Sequence, residues 1–402
     1  MAPSSNPHPW RRTALLFVGH MINDGFASVF APLLPFLIDR LNLSLALAGL
    51  LGTIRILANS LLQPSLGHLV DRVQRPELVV AGPFMTVVAM SLIGRVSGFI
   101  PLLVVMLLAG IGTALFHPAA AALVTAQPTR RRGTLMAFFS SGGTLGGAIA
   151  PVAIIAFVGR FSLDRTPWLI GPGLLILVAF ALLLHRNLPP RVRAAVERVP
   201  RLRELPSRLV LLWFVIVLSS TCSTAFSTFL AVLVAERGAS ALVGGLAITA
   251  FLVAGAAAGF VAGHLSDRFG RKWTIITSLV LATPFYILFL YGPISAALPF
   301  IAAAGVFGLS SIPVGVVAAQ ECLPGRTGLV SGLVMGLAWG VGGAALTPIG
   351  WLGDRHGLIP VMAFVAFLPL VAAALMALYH EPKSLSSQAS PATSSDGDRS
   401  PA

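Results

Sequence analysis

Gly67-His-Leu-Val-Asp-Arg72 and Gly263-His-Leu-Ser-Asp-Arg268 share five of six residues and lie 196 positions apart. The spacing recurs elsewhere, because Pro118 corresponds to Pro313 at an offset of 195 residues. A near-constant offset that spans half of the 402-residue chain indicates an internal duplication. We therefore predict two similar halves, each with one copy of the motif.

The sequence on either side of both motifs is strongly apolar. Hydrophobic residues make up 56% of the chain and charged residues 10%, with a mean hydropathy of +0.88, whereas soluble domains carry about 25% charged residues. Apolar stretches of roughly twenty residues recur, each long enough to cross about 30 Å of hydrocarbon as a helix. Unbroken runs such as Leu174–Leu184 lack the alternation of a membrane barrel, the other fold that satisfies its backbone in lipid. These features predict an all-α membrane protein.

Each half contains six apolar segments, so we expect twelve transmembrane helices arranged as two six-helix pseudo-repeats. The predicted spans are 13–38, 44–66, 77–97, 100–126, 133–158, 166–185, 208–234, 241–263, 273–292, 296–320, 327–350 and 358–379. The predicted domains are an N-terminal bundle (1–186), a cytoplasmic linker (187–207), a C-terminal bundle (208–380) and a disordered cytoplasmic tail (381–402). The tail is rich in Ser, Pro and Ala, a composition typical of disorder.

Lysine and arginine are distributed unevenly between alternate connections. With the N-terminus inside, 20 of the 27 lie in segments predicted to be cytoplasmic, six lie in predicted external loops, and Arg55 lies within the second helix. This excess predicts a multi-pass protein of the inner (plasma) membrane with both termini in the cytoplasm. The same loops account for the net charge of +13, which therefore indicates topology and no nucleic-acid partner.

The duplicated motif continues as Val-Gln-Arg75 in the first copy and as Phe-Gly-Arg271-Lys272 in the second. In this form it resembles the signature of the major facilitator superfamily, whose fold consists of two six-helix repeats around a central site. By that resemblance, Asp71 and Asp267 each cap a helix N-terminus in the opposite half, pair with arginine and latch the cytoplasmic side shut. The alternative is that the arginines only set the topology.

Eight charged residues near the predicted cytoplasmic helix ends are candidates for such a latch or gate. They are Asp71, Arg72, Arg75, Asp267, Arg268, Arg271, Glu321 and Arg326. Glu321 ends the tenth predicted helix shortly before Arg326. We interpret it as part of a gate salt bridge rather than a proton site, because a residue at this helix end reaches water.

A narrower resemblance covers nearly the whole chain. It is carried by four segments that are similar to the fosmidomycin-resistance family of efflux transporters: His20-Met-Ile-Asn-Asp24, Ser60-Leu-Leu-Gln-Pro64, Phe116-His-Pro118 and Ala319-Gln-Glu-Cys-Leu-Pro-Gly-Arg326. The resemblance implies proton-driven export of drugs or metabolites. Two positions depart from the family pattern, since Ala119 replaces an acidic residue and Arg55 replaces an uncharged polar one. The identity of the substrate is therefore not carried over.

Two charges fall deep within predicted spans, where a charge at the bilayer centre costs roughly 2.5–3.5 kcal/mol. Asp24 lies about 11 residues into the first helix, and Arg55 lies about 11 residues into the second from the opposite face, so both reach a similar depth. We hypothesise that they pair in at least one transport state, so that proton release from Asp24 is coupled to what Arg55 binds. The alternative is a static pair that locks two helices together.

Four polar residues accompany this pair as candidates for proton coupling or substrate binding: His20, Asn23, His117 and Gln63. His20 and Asn23 share a helix face with Asp24, and a neighbouring histidine titrates near physiological pH. Alternatively, either histidine is a buried side chain with a satisfied hydrogen bond, and Gln63 only bridges helices.

The second half contains no charge in the middle of a predicted span. Its candidate substrate contacts are Phe226, Phe251 and Trp339, which alternatively pack between helices. In the first half, Gly142–Pro151 resembles the glycine-rich motif of drug/proton antiporters, and tight helix packing explains the same residues.

These features predict a proton-coupled exporter (antiporter) of a small drug-like or anionic, amphiphilic metabolite, working by alternating access. The main alternative is an uptake symporter on the same fold. A membrane-embedded enzyme and a non-transporting receptor are weaker alternatives. The sequence contains no recognisable metal-ligand cluster, phosphate loop or nucleophile–base–acid set, and a receptor would not need the motif in both halves. We expect no metal or cofactor, a monomer, and as partners a small-molecule substrate, protons and the lipid bilayer.

Overall fold

A computed structural model describes residues 9–73, 78–125, 132–185, 205–323, 326 and 330–380, and this part of the chain folds as helices joined by short connections. The α-helices are α1 Pro9–Ala27, α2 Phe30–Leu41, α3 Leu45–Val73, α4 Leu78–Ser91, α5 Phe99–Thr125, α6 Arg132–Phe161, α7 Ile170–His185, α8 Ser207–Glu236, α9 Ala241–Phe269, α10 Arg271–Tyr291, α11 Ala297–Cys322, α12 Trp339–Ala344, α13 Leu346–His356, α14 Leu358–Val365 and α15 Leu368–Ala377. Short 3₁₀ turns (Leu92–Arg95, Leu163–Leu169, Ile294–Ala296) and a π-helical stretch (Gly332–Ala338) complete the chain.

The helices have the length and composition of membrane spans. Within the described ranges, eleven helical stretches are long and apolar enough to cross a membrane, and Val79–Arg95 is a shorter apolar helix. Large apolar side chains cover the outside of the bundle; Leu175 and Phe260, for example, are 73% and 74% exposed. Such a surface suits lipid and not water. The prediction of an all-α membrane protein is confirmed.

Several predicted spans differ from the observed helices in their bounds. The predicted span 13–38 consists of α1 and α2, which are separated by a break at Ser28 and Val29. The predicted spans 44–66 and 241–263 continue to Val73 and Phe269. Asp71 and Asp267 therefore lie on the last turns of α3 and α9, and their expected placement in loops is wrong. Apolar length marks only the part of a helix within hydrocarbon, whereas backbone hydrogen bonding continues into water.

The helices form two groups that pack mainly among themselves. In the first, α1 contacts α4, α5 and α6, and both α3 and α4 contact α5; in the second, α9 and α10 contact α11, and α8 and α10 contact α15. The groups meet where α3 packs on α12 and α13, α6 on α9, and α2 on α8. The predicted linker from 187 to 204 and the tail from 381 to 402 lie outside the described residues.

The contact between the groups is close and hydrogen bonded. A methyl group added at Gly49 would overlap the Leu346 carbonyl, and one added at Gly350 would overlap the Leu45 carbonyl. Thr53 Oγ1 donates to the Gly343 carbonyl at 2.9 Å. These residues lie toward the helix ends that the arginine distribution predicts to face outside, so the two groups are held together at that end.

Candidate functional site

Asp24, on α1, lies between two histidines in the interior of the first helix group. Its Oδ2 is 3.1 Å from His20 Nε2, and its Oδ1 is 3.4 Å from His117 Nε2. The two Nε2 atoms are 3.2 Å apart. His20 stands one turn earlier on α1, whereas His117 comes from α5, next to the helix-bending Pro118. We call these three side chains the His–Asp–His cluster.

The cluster is enclosed by protein on one side and accessible on the other. The side chain of His20 is 9% exposed, whereas those of Asp24 and His117 are 27% and 26% exposed. His20 stacks on Phe139 with ring centroids 4.4 Å apart, and Phe116 lies on its other flank at 5.6 Å. The apolar rings hold the imidazole in place, and an exchangeable ion can reach the other two groups.

One hydrogen bond determines which nitrogen of His20 carries a hydrogen. Nδ1 lies 2.9 Å from the carbonyl oxygen of Phe139, and because a carbonyl only accepts, Nδ1 is the donor. In the neutral ring Nε2 is then a bare acceptor, and it faces the acceptor Oδ2 of Asp24 at 3.1 Å. Two lone pairs at this distance are favourable only with a proton or another cation between them. The geometry therefore leaves a place for a proton or another cation between these two atoms.

Neighbouring polar groups orient the carboxylate. Asn23 Nδ2 donates to Asp24 Oδ1 at 2.8 Å, and Thr86 Oγ1 on α4 donates to Asn23 Oδ1 at 3.1 Å. Asn23 and Thr86 are fully buried. This chain of donors holds one carboxylate oxygen in position, so that rotation of Asp24 breaks a partly buried hydrogen bond.

The glycine-rich motif on α6 makes room for the cluster. A methyl group added at Gly143 would lie 2.6 Å from His20 Cδ2 and 2.7 Å from Asp24 Oδ2, whereas one at Gly142 or Gly146 would overlap backbone carbonyls of α1. The motif thus brings α1 and α6 into backbone contact and, at Gly143, leaves the space that the two side chains fill. Sequence analysis missed this role of Gly143, although the motif itself was a signal.

Arg55, on α3, is half-buried, and its Nε is enclosed without a hydrogen-bond partner among the described residues. The charge of Asp24 acts on its guanidinium, but the ion pairs that Asp24 makes in this structure are with His20 and His117. The hypothesis that Asp24 and Arg55 pair in another transport state therefore stays a prediction. An enclosed guanidinium nitrogen without a partner is an open donor for an anionic group.

The remaining predicted substrate contacts have other surroundings. Gln63 Nε2 donates to Asn59 Oδ1 at 2.9 Å, one turn earlier on α3. Phe226 and Phe251 are fully buried and pack around Tyr286, with ring centroids 4.1 and 6.2 Å away. Trp339 is half-buried at the start of α12. In this conformation the two phenylalanines are core residues and do not line an open site.

Three predicted gate residues meet in the second helix group. Arg271 on α10 contacts Glu321 Oε1 on α11 at 3.1 Å and Asp267 Oδ1 on α9 at 2.5 Å. Arg268 lies over the Phe269 ring at 5.4 Å, and Arg326 is exposed. The described partner of Asp267 thus belongs to its own helix group. The side chains of Asp71 and Arg72, and all of Arg75, lie outside the described residues.

Asp354, which sequence analysis missed, makes the contact predicted for the motif carboxylates. On the last turn of α13, its Oδ1 and Oδ2 accept from the backbone N–H groups of Leu45 and Ala46 at 2.7 and 2.9 Å. These are the first residues of α3 in the other helix group, so the carboxylate caps that helix. The signal was present, because Gly350-Trp-Leu-Gly-Asp354-Arg355 repeats the spacing of the duplicated motif.

An all-helical bundle with membrane-length apolar helices and a partly buried group of two histidines and an aspartate is typical of a membrane transport protein. Residues 16–233 and 212–400 match the sequence profile of the Major Facilitator Superfamily, and the chain belongs to that family. It is a multi-pass membrane transporter and not an enzyme, so the enzyme alternative is wrong.

Individual relatives agree with this assignment. The chain is 27% identical over 361 residues to the fosmidomycin resistance protein of Escherichia coli K12, covering 88% of this chain and 89% of the relative. It is 25% identical over 305 residues to the multidrug resistance protein MdtG of Salmonella paratyphi C, covering 70% and 73%. The predicted resemblance to the fosmidomycin-resistance family is confirmed.

The fold also matches solved structures. A bacterial homologue of the human lysosomal transporter Spinster, in an inward-facing and occupied conformation, superposes with a TM-score of 0.80 at 18% identity. The match covers 94% of this chain and 97% of that one. At this identity the likeness shows a shared fold.

Proposed function

We propose that this transporter is a proton-coupled exporter that exchanges protons for a small anionic or amphiphilic molecule by alternating access. The observation that carries the proposal is the 3.1 Å contact between His20 Nε2 and Asp24 Oδ2, which requires a cation between two lone pairs. A proton is the cation that an imidazole and a carboxylate exchange most readily. His117 and Arg55 are the other charged or titratable groups that act on Asp24 among the described residues.

Arg55 links the proton to the substrate in this proposal. An anionic substrate group is a partner for the guanidinium of Arg55. In the antiport cycle, Asp24 gives up its proton on the cytoplasmic side and the substrate then binds Arg55. On the outer side the substrate leaves and Asp24 takes up a proton, so that the two loads move in opposite directions. Trp339, half-buried at the junction of the helix groups, is the candidate contact for the apolar part of the substrate.

The finer architecture belongs to the same proposal. We take Val79–Arg95 as the twelfth membrane span and residues 1–186 and 208–380 as two six-helix bundles. Both termini then lie in the cytoplasm of a cell whose inner membrane holds the protein as a monomer. In that orientation the helix groups touch at their outer ends. The names of the two resistance relatives support export as the direction.

The direct test uses purified protein in proteoliposomes with an imposed pH gradient, and proton flux is followed with an internal pH dye while candidate anions are added. We expect gradient-driven transport that a protonophore abolishes, and that Asp24→Asn reduces to background. The same variant should retain exchange of labelled for unlabelled substrate, since exchange moves no net protons. Asp39→Asn, which removes an exposed carboxylate on α2, is the matched control. Full transport by Asp24→Asn with an unchanged pH dependence would remove Asp24 from the mechanism.

Transport direction needs its own measurement, because an uptake symporter on the same fold uses the same cluster. Inside-out vesicles acidified internally distinguish the two modes. An exporter concentrates substrate inside such vesicles, whereas a symporter releases it. Substrate release driven by the gradient would replace the exporter with the symporter.

A further inference from the structure

The His–Asp–His cluster has the ligand set of a transition-metal site. Two imidazole nitrogens and one carboxylate converge from α1 and α5, with the His20 Nε2, His117 Nε2 and Asp24 ligand atoms all within 4.8 Å of one another. Imidazole and carboxylate together suit zinc, iron, cobalt and nickel, whereas calcium and magnesium prefer oxygen ligands. We propose that the cluster binds a divalent first-row transition-metal ion such as Zn²⁺ or Co²⁺.

The distances fit one ion shared by three ligands. Around Zn²⁺, bonds of ~2.0–2.1 Å in tetrahedral geometry separate neighbouring ligand atoms by roughly 3.3–3.4 Å. The two Nε2 atoms are 3.2 Å apart, and each lies near a different oxygen of Asp24, His20 Nε2 at 3.1 Å from Oδ2 and His117 Nε2 at 3.4 Å from Oδ1, so both carboxylate oxygens would face the ion. Two hydrogen bonds to the carboxylate would explain two of these contacts, but both Nε2 atoms would then be N–H donors that face each other at 3.2 Å. A single cation satisfies all three contacts at once.

The surroundings of the ligands also match those of metal centres. Histidine ligands usually donate their second ring N–H to a carbonyl or carboxylate, and His20 Nδ1 donates to the Phe139 carbonyl at 2.9 Å. Ligating carboxylates are themselves hydrogen bonded, and Asp24 Oδ1 accepts from Asn23 at 2.8 Å. The quarter exposure of Asp24 and His117 leaves an entry path and a free coordination position. These features leave the lone pair of His20 Nε2 free to coordinate a metal ion.

Arg55 opposes metal binding, and this effect distinguishes an ion in the cluster from an ion bound elsewhere. Its positive charge lies within electrostatic range of Asp24, so it raises the free energy of a divalent ion in the cluster. Removal of that charge should tighten binding. An ion bound to one of the exposed histidines of the described residues, which are His185, His264, His356 and His380, would not respond to Arg55.

A metal ion and a proton are alternative occupants of the same lone pairs, so each excludes the other. That consequence for transport rests on the proposed function, whereas binding does not. The test is therefore a binding measurement on purified, tag-free, full-length protein in detergent at neutral pH, without substrate or gradient. Co²⁺ is the probe, because four- and five-coordinate Co²⁺ absorbs far more strongly in visible light than the aqueous ion. Competition with Zn²⁺ measures the affinity for zinc.

We expect saturable binding of one Co²⁺ per chain, displaced by Zn²⁺. His20→Ala and His117→Ala should each weaken it by at least the ~10–100-fold that loss of an outer-shell partner alone causes. Arg55→Gln should strengthen it, and His356→Ala should leave it unchanged. Each variant is compared by gel filtration and thermal unfolding.

Three results would overturn the proposal. The first is that the unmodified protein shows no saturable Co²⁺ or Zn²⁺ binding. That result would mean that the cluster holds only protons, and it can be obtained without any variant. The second is binding that survives both histidine substitutions, and the third is binding that His356→Ala removes. Failure of gradient-driven transport in the proteoliposome experiment leaves the binding result intact, so the two proposals fail separately.

Discussion

Corresponding positions in the two halves of the chain have side chains of different character, titratable in the first half and neutral in the second. At the 195-residue offset that relates Pro118 to Pro313, His20, Asp24 and His117 correspond to Val215, Ser219 and Ile312. In the second half these three side chains line one small cleft together with Ser311. Ser219 Oγ lies 3.4 Å from Ser311 Oγ, where the first half has an ion pair.

This difference indicates how a duplicated bundle divides its work. A charge at membrane depth is costly and is kept where it has a function. Among the described residues, the first half has Asp24 and Arg55 within its helices, whereas the positions of the second half that match the cluster are uncharged. The second half replaces the charges with aliphatic side chains and a hydroxyl pair, which pack stably in every protonation state. We infer that ion coupling is confined to the first half and that the second half provides a packing and substrate surface.

The largest effect on transport is expected from a substitution that fills the space beside the His–Asp–His cluster. Gly143→Ala would push its methyl group against the side chains of His20 and Asp24. Overpacking of this kind costs about 1–3 kcal/mol, so we expect about tenfold to hundredfold slower gradient-driven transport, measured in proteoliposomes.

A neighbouring glycine provides the control for that substitution. A methyl group at Gly147, one turn further on α6, would meet only Ser28 Oγ at 3.3 Å. Gly147→Ala should therefore transport at nearly the original rate. Equal losses in both variants would mean that the motif serves helix packing and not the cluster.

Arg55 should come next in magnitude. Arg55→Gln removes a charge-assisted hydrogen bond to an anionic substrate, worth about 1.5–3 kcal/mol, and should raise the half-saturating substrate concentration about tenfold to hundredfold. Thermal stability should not fall, because the Nε of Arg55 has no hydrogen-bond partner to lose within the part of the chain that the structure describes. Arg55→Lys keeps the charge and should restore part of the affinity. An unchanged substrate dependence in Arg55→Gln would leave Arg55 without a role in binding.

A smaller effect is expected from the contact that joins the halves. Asp354→Asn weakens the cap on α3, and loss of a cap costs about 0.5–2 kcal/mol, or about 2–30-fold in a conformational equilibrium. Ala48 is fully buried in this region, so the rate at which a thiol reagent labels Ala48→Cys reports separation of the halves. The rate should rise in the Asp354→Asn background.

The adjacent arginine is a suitable control for this experiment. Arg355 is exposed and lies over the Trp351 ring at 3.9 Å. Arg355→Gln should leave the labelling rate unchanged. An equal rise in both backgrounds would show a general loosening of α13 and no specific cap.

The smallest effect belongs to the hydroxyl pair of the second half. Ser219→Ala removes a neutral hydrogen bond, worth about 0.5–1.5 kcal/mol, so thermal stability should fall slightly and the pH dependence of transport should not change. A shift of the pH profile comparable to that of Asp24→Asn would contradict the assignment of coupling to the first half.

The sequence predicted the class of fold well, because the fold class depends on quantities such as apolar length, which are summed over consecutive residues. Apolar length predicted the membrane helices, whereas the topology taken from the arginine distribution and the two six-helix repeats stay predictions. Helix ends were less predictable, as Asp71 and Asp267 show. Hydropathy marks only the apolar part of a helix and not the polar turns that extend into water. The break between α1 and α2 had no compositional marker that separates it from an unbroken apolar helix.

The candidate site was predictable only in part. Helical periodicity places His20 one turn from Asp24, and that neighbourhood is visible in the sequence. By contrast, His117 is 97 residues from His20 and Phe139 is 119 residues from it. Their meeting depends on which helices adjoin and how each is rotated. The pairing of Asp24 with Arg55 was predicted only from their similar depth in the membrane. Depth does not determine which side of its helix a side chain lies on.

By itself, then, the sequence determined that this is a helical membrane transporter with a duplicated motif and few charged residues. Only the tertiary structure decided that Asp24 faces two histidines, that Gly143 gives them room, and that Asp354 caps a helix of the other half. The physical reason is that solvent preference is a property of each segment, whereas side-chain partners are set by backbone contact between segments. In this chain that contact is controlled by single glycines such as Gly49, Gly143 and Gly350.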